Sequence, residues 1–168
     1  MNRVQYPLAA LMLAVAACST PTSETPPPQA AASVVPAEIA AATSRAAPGI
    51  AITRGEPDAE GNEYEVTGTM PDGDEIELDL VRSNGAWTVM EIQRDVDWSS
   101  VPDPVRAAAA AMPNSFEPVR VIESKQPADG SVIFELFAAE GQDGSPGRGP
   151  SMEVRWHGGK AAVISPAR

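Results

Sequence analysis

Hydrophobic and polar residues alternate along several short stretches of the chain, which is the pattern of β-strands with one buried face. The clearest case is residues 75–80, where Ile76, Leu78 and Leu80 alternate with acidic residues. Turn signals bound this stretch, at residues 71–73 before it and at Asn84-Gly85 after it. Comparable stretches occur at residues 50–53, 63–69, 87–92, 119–122, 134–136, 152–154 and 162–164. The pattern predicts eight strands joined by turns.

Two alanine-rich stretches, residues 35–48 and 101–113, share one order of residue types. Each begins with Val-Pro, continues with a branched aliphatic residue and an alanine run, and ends at a proline. Apolar residues recur in them at helical spacing. In the second stretch, Asp103 is predicted to cap the helix and Pro104 to occupy the first helical position. Alanine-rich helices of this length are marginal alone, so we expect them to pack on a sheet.

The order of these elements indicates one unit written twice. We therefore predict an α+β fold of two tandem modules, each a helix followed by a four-strand antiparallel meander, with the helices on one side of the sheet. The first module is predicted at residues 35–93; residues 94–168 are predicted to contain the junction and the second module. Whether the modules share one sheet or pack face to face is left open by the sequence.

The N-terminal residues predict a secreted protein. An apolar segment at residues 7–17 follows Arg3 and is too short to span a bilayer, which takes roughly 20 residues, so residues 1–17 are predicted to be a signal peptide. The segment ends in Val15-Ala16-Ala17-Cys18. This junction resembles the lipobox of bacterial lipoproteins, which implies that Cys18 carries fatty acyl chains such as palmitate. The alternative is an ordinary secretory signal that happens to end in cysteine.

The residues after Cys18 predict a disordered tether and indicate which membrane the protein is attached to. Residues 19–32 consist largely of Pro, Thr, Ser and Ala without apolar periodicity, so residues 18–34 are expected to be the lipidated cysteine and a disordered linker. Ser19 follows the cysteine, and in the enteric sorting pattern the absence of aspartate there favours the outer membrane. We expect a protein of the bacterial cell envelope that faces the periplasm and is held to the membrane through Cys18.

The net charge restricts the classes of partner, and the single cysteine restricts how the fold is stabilised. The formal net charge is −11, which argues against nucleic acid or anionic phospholipid as a surface partner. Cys18 is the only cysteine, so a lipidated chain has no internal disulfide and depends on a hydrophobic core. Acidity alone is also typical of many soluble secreted proteins.

The C-terminal half resembles the PepSY-like and beta-lactamase-inhibitor-like group of bacterial envelope proteins. The resemblance rests on residues 98–102 leading into the alanine-rich helix, on Phe134-Glu135-Leu136, on residues 152–154, and on the Gly-Gly-Lys turn at residues 158–160. It covers residues 35–92 more loosely. The glycine-rich insertion at residues 140–150 and Trp156-His157 depart from the pattern. The resemblance implies a non-enzymatic protein that binds or restrains another protein.

No constellation of catalytic residues is recognisable in the sequence. His157 is the only histidine and borders Gly158-Gly159, where a surface position is expected over a catalytic one. Acidic residues 72, 74 and 75 lack the EF-hand spacing and are interpreted as a turn, so no metal is predicted. Asp95 and Asp97 are interpreted as a solvated linker face. No cofactor is predicted.

The tryptophans are the candidate partner-binding residues, because tryptophan is enriched at interface hot spots. Core packing is favoured for Trp87, packing between the modules for Trp98, and the two interpretations are balanced for Trp156. The leading functional hypothesis is a non-catalytic, lipid-anchored periplasmic module that binds or inhibits a protein or peptide. The alternative is a structural or assembly lipoprotein of the envelope without a dedicated ligand.

Overall fold

The computed structural model describes residues 35–140 and 144–165, so the predicted signal peptide, Cys18 and the whole predicted tether lie outside the described residues. Two helices, eight strands and one 3-10 turn make up the described chain. The helices are α1 (Ala37–Ala46) and α2 (Asp103–Ala110), and the 3-10 turn is Trp98–Ser100. The strands are β1 (Ala51–Pro57), β2 (Glu63–Thr69), β3 (Glu75–Ser83), β4 (Ala86–Asp95), β5 (Arg120–Gln126), β6 (Ser131–Phe137), β7 (Met152–His157) and β8 (Lys160–Ser165).

All eight strands form one antiparallel sheet in chain order, β1 to β8. Every strand is hydrogen-bonded to its neighbours in sequence, and β1 and β8 are the two edges. Asn84 and Gly85 form the β3–β4 turn with φ angles of 51° and 79°, which explains the Asn-Gly pair, since a two-residue hairpin turn of this type requires positive φ at both positions. Each predicted strand stretch overlaps an observed strand.

The predicted α+β fold of two tandem helix-plus-four-strand modules is wrong. The described residues belong to one compact unit, which is mainly strand and contains only two short helices. Strand β4 pairs directly with β5, from Ile92↔Lys125 to Asp95↔Ile122, so that the sheet is continuous. An unpaired β4 edge would expose a row of backbone donors and acceptors, and β5 satisfies them. The sequence pattern shows where strands lie but not which edges meet.

The hydrophobic core lies between the helices and one face of the sheet. Under α1, Ile39 packs with Val66 and Leu78, which are at most 1% exposed. Under α2, Val105 and Val154 are fully buried. Side chains alternate along each strand, so the neighbours of these core residues point to the opposite face. Neither helix covers that second face.

Asp103 does not cap α2 as predicted. The N-cap is Pro102, and no side chain caps this helix end. The ψ of Pro102 is 138°, which is extended, so Pro102 precedes the helix and Asp103 is its first residue. The Asp103 carboxylate instead pairs with Arg106, three residues along the helix. No helix in the described part of the chain is long and apolar enough to cross a membrane.

Candidate functional site

The face of the sheet opposite the helices is rich in carboxylates. Pairing across the strands places Glu65 opposite Asp79, and Asp79 opposite Glu91, so three acidic residues form one row over β2, β3 and β4. On β6 and β7, Glu135 lies opposite Glu153 on the same side of the sheet. We call the following set the acidic face: Glu63, Glu65, Glu77, Asp79, Glu91, Glu135 and Glu153.

Three of these carboxylates form a tight cluster. Oxygen atoms of Glu65, Glu77 and Asp79 lie within 4.8 Å of one another. Burial is the main cause that raises the pKa of Glu77, and the charges of Glu65 and Asp79 add to it. Burial also raises the pKa of Asp79, followed by the charges of Glu91, Glu65 and Glu63. Like charges in a half-buried place disfavour ionisation, so the cluster attracts protons and other cations.

Glu135 extends the acidic face across the middle of the sheet to β6. Burial raises the pKa of Glu135, and the nearby charges of Glu91 and Glu153 raise it further. Glu91 is held in place by its neighbours, because its Oε1 accepts hydrogen bonds from the Ser124 hydroxyl and from Gln126 Nε2. Ser124 is fully buried on this side of the sheet. The excess negative charge therefore runs from β2 to β7.

Few cations of the protein neutralise this face. Arg54 pairs with Glu65 at 2.9 Å, and Arg120 forms two hydrogen bonds with Asp95, at 2.7 and 3.0 Å. Within the described residues, neither Glu77 nor Asp79 nor Glu135 takes part in an ion pair. These carboxylates are thus half-buried without a direct ion pair, which is a destabilising arrangement, and the more distant charges of Arg54 and Arg120 only partly offset the raised pKa of Glu77.

Two open clefts flank the cluster. One, of about 530 Å³, is lined by Glu77 and Gln93 and also by Arg94 and Arg120, whose charges are paired with Glu123 and Asp95. The other, of about 370 Å³, is lined by Glu65 and Asp79 together with further acidic residues. Sites for neutral small molecules are mostly apolar, whereas these clefts present carboxylates. In the smaller cleft every charged lining residue is acidic, and this chemistry suits positively charged groups: an ammonium, a guanidinium or a metal ion.

The three tryptophans lie on the helix side of the sheet and do not come together. Trp87 packs against the core under α1, and its Nε1 donates a hydrogen bond to Glu38 Oε1 at 3.0 Å. Trp98 and Trp156 pack against the core under α2. The indole Nε1 of Trp156 is buried and has no hydrogen-bond partner in the described structure. A role for any of the three in partner binding stays a prediction.

His157, the acidic turn at residues 72–75 and Asp95 lie outside the carboxylate cluster. His157 is exposed at the end of β7, opposite Lys160. In the β2–β3 turn, the Asp72 carboxylate accepts a hydrogen bond from the Asp74 amide, and Asp74 pairs with Arg94 at 3.2 Å. Asp95 is bound by Arg120. The acidic turn is explained by local hydrogen bonds and ion pairs.

The carboxylate cluster was not identified from the sequence. The sequence of β3 predicts only that its acidic residues lie on the face opposite Ile76, Leu78 and Leu80. A signal was nevertheless present, since Glu63 and Glu65 alternate in the same way on the preceding stretch, and a short turn joins the two. A hairpin between the two stretches places these acidic residues on neighbouring strands. Which of them lie opposite one another depends on the strand register.

Comparisons with protein families, with characterised proteins and with solved structures gave no match to this chain. The resemblance to PepSY-like and beta-lactamase-inhibitor-like proteins therefore stays a prediction.

Proposed function

We propose that the protein is a non-catalytic, lipid-anchored module of the bacterial envelope that binds or inhibits another protein through the uncovered face of its sheet. The observation that carries the proposal is the acidic face: a wide sheet surface left open by both helices, with half-buried carboxylates that lack a cation. Such an arrangement costs stability in the isolated protein, as binding surfaces commonly do.

The anchoring part of the proposal depends on the N-terminal sequence. Cys18 is the only cysteine and directly follows the apolar segment. The Pro-rich stretch after it has the composition of an extended tether, which would hold the folded part away from the membrane surface. A surface held in this way can meet a partner in the periplasm.

Site-specific photo-crosslinking in intact cells tests the binding surface. We expect a photoreactive residue at Gln93 or Thr67, both beside the larger cleft, to yield the same crosslinked protein. The same residue at Ala107, exposed on α2, is the control and should not yield it. Identical products from all three positions, or none from the sheet face, would contradict binding through this face. Absence of any product together with a general envelope defect on deletion would favour the structural lipoprotein.

Replacing Cys18 with serine tests the anchor. We expect Cys18→Ser to abolish lipid attachment and to release the protein from the membrane fraction, because acyl chains supply the membrane affinity of such proteins. Fractionation followed by immunoblotting measures the change. A Ser19→Ala variant keeps the cysteine and should remain in the membrane fraction. Unchanged membrane association of Cys18→Ser would contradict anchoring of the protein through a lipid on Cys18.

A further inference from the structure

We propose that the acidic face recognises a basic segment of the partner protein, one that presents several lysine or arginine side chains. This inference rests on the proposed function, since it names the chemistry of the partner that the open face binds. Charge complementarity, space and residue spacing each support it.

Charge complementarity is the first step. Glu77, Asp79 and Glu135 are half-buried and have no ion pair within the described structure, while Arg54 and Arg120 are engaged by Glu65 and Asp95. An ammonium or guanidinium placed among these carboxylates gains charge-assisted hydrogen bonds that the protein itself does not supply. A neutral or acidic partner would bury the same carboxylates without a positive partner, which is unfavourable.

Space on the face is the second step. The two clefts, of about 530 and 370 Å³, share lining residues with the carboxylate cluster. The smaller cleft is bordered by Asp79 and has no cation in its lining, whereas the larger one is bordered by Glu77 together with Arg94 and Arg120, which are already paired with carboxylates. Long cationic side chains can enter such clefts with their aliphatic stems and place their charged ends at the carboxylates. The smaller cleft, whose lining contains no arginine, can accept one such side chain.

Spacing is the third step. Glu75, Glu77 and Asp79 occupy alternate positions of β3, so their side chains project from one face about 7 Å apart. An extended segment with a cation at every second position has the same repeat. The acidic face continues over β4 and β6, through Glu91 and Glu135. This breadth exceeds what a single metal ion needs and fits a polypeptide with several charges.

Titration with defined peptides tests the proposal. The full-length lipidated protein in nonionic detergent is titrated with a synthetic peptide in which lysine alternates with threonine, and with the matching glutamate–threonine peptide. We expect the lysine peptide alone to bind. A variant with Glu77→Gln, Asp79→Asn and Glu135→Gln should bind it at least about tenfold more weakly, since it loses three ion pairs. A control variant loses the same number of charges outside the acidic face, through Glu60→Gln, Asp97→Asn and Glu117→Gln.

The outcomes separate the basic-segment inference from its alternatives. Equal weakening in both variants would mean that net charge alone attracts the peptide, and would overturn the inference. Binding of calcium by the wild type, without binding of the lysine peptide, would also overturn it in favour of a metal site. Crosslinking from Gln93 to a partner whose contact segment lacks basic residues would overturn the inference and leave the proposed function standing.

Discussion

Replacing Leu78 with alanine is expected to lower the free energy of unfolding by about 2–5 kcal/mol, the usual range for removing a buried leucine side chain. Leu78 is fully buried on β3, between Val66 on β2 and Ile92 on β4, under helix α1. The neighbours belong to three strands and a helix, so the cavity cannot close without moving the sheet. Urea denaturation followed by tryptophan fluorescence measures the change.

Val119→Ala is the matched control for Leu78→Ala. Val119 is 48% exposed and lies just before β5, so that the same kind of truncation should change the free energy of unfolding by no more than about 0.5 kcal/mol. A loss below about 1 kcal/mol for Leu78→Ala would show that the region under α1 is loosely packed.

The same measurement examines the continuity of the sheet. Leu136 is 1% exposed and lies in the core under α2, on the other side of the β4–β5 pairing. Because one sheet connects both regions, we expect Leu78→Ala and Leu136→Ala to lower the midpoint of a single unfolding transition. Two separate transitions, each sensitive to one of the variants, would contradict the continuity seen at Ile92↔Lys125.

The positions of the strands could be predicted because side-chain alternation is a local property of the sequence. Ile76, Leu78 and Leu80 lie on the core side, as their spacing indicates. The pairing of β4 with β5 could not be predicted, because the hydrogen bonds between strand edges are made by backbone groups that every residue carries. The repeated order of residue types therefore suggested two modules where the strands form one sheet.

The position of Glu91 on the acidic face depends on the pairing register of β3 and β4, which cannot be read from the sequence. Asp79 pairs with Glu91, and the next residue, Leu80, pairs with Val89, so Met90 is an extra residue in β4. This bulge changes the phase of the strand, with Val89 buried on the core side and Glu91 opposite Asp79 on the other face. Simple alternation would have placed Val89 and Glu91 on one face. The sequence thus could not show that Glu91 joins the carboxylates.

We expect the protein to be more stable at mildly acidic pH than at neutral pH. The pKa values of Glu77, Asp79 and Glu135 are raised in the folded state, mainly by burial, so the folded chain retains protons that the unfolded chain has lost. Stability therefore rises as the pH falls from neutral through these raised values, and the gain is complete below the ordinary values of 4.5 for Glu and 3.8 for Asp.

Two other carboxylates set the acidic limit of this gain. Hydrogen bonds lower the pKa of these residues: Asp58 accepts from the Glu63 amide, and Asp129 is lowered first by Ser131, whose amide donates to Asp129 Oδ1 at 2.9 Å. Their stabilising contribution is present above the ordinary Asp value of 3.8 and is lost as the pH falls through their lowered values. Thermal unfolding measured from pH 3 to pH 8 should therefore show a maximum on the mildly acidic side of neutrality. A monotonic decrease in stability from pH 8 downward would contradict the raised pKa values.

Asp79→Asn is expected to stabilise the protein at neutral pH and to weaken its binding. Asp79 faces Glu65 on one side and Glu91 on the other, and each pair of like charges directly opposite one another costs about 0.2–1 kcal/mol. Removing both pairs should raise the free energy of unfolding by about 0.4–2 kcal/mol at pH 7 and make stability less dependent on pH. Asp97→Asn, at an exposed position outside the acidic face, is the control and should change neither property. A variant that gains stability while losing affinity for the lysine peptide would show that the repulsion on this face is kept for binding, whereas a destabilised Asp79→Asn would show that the carboxylate has a favourable partner.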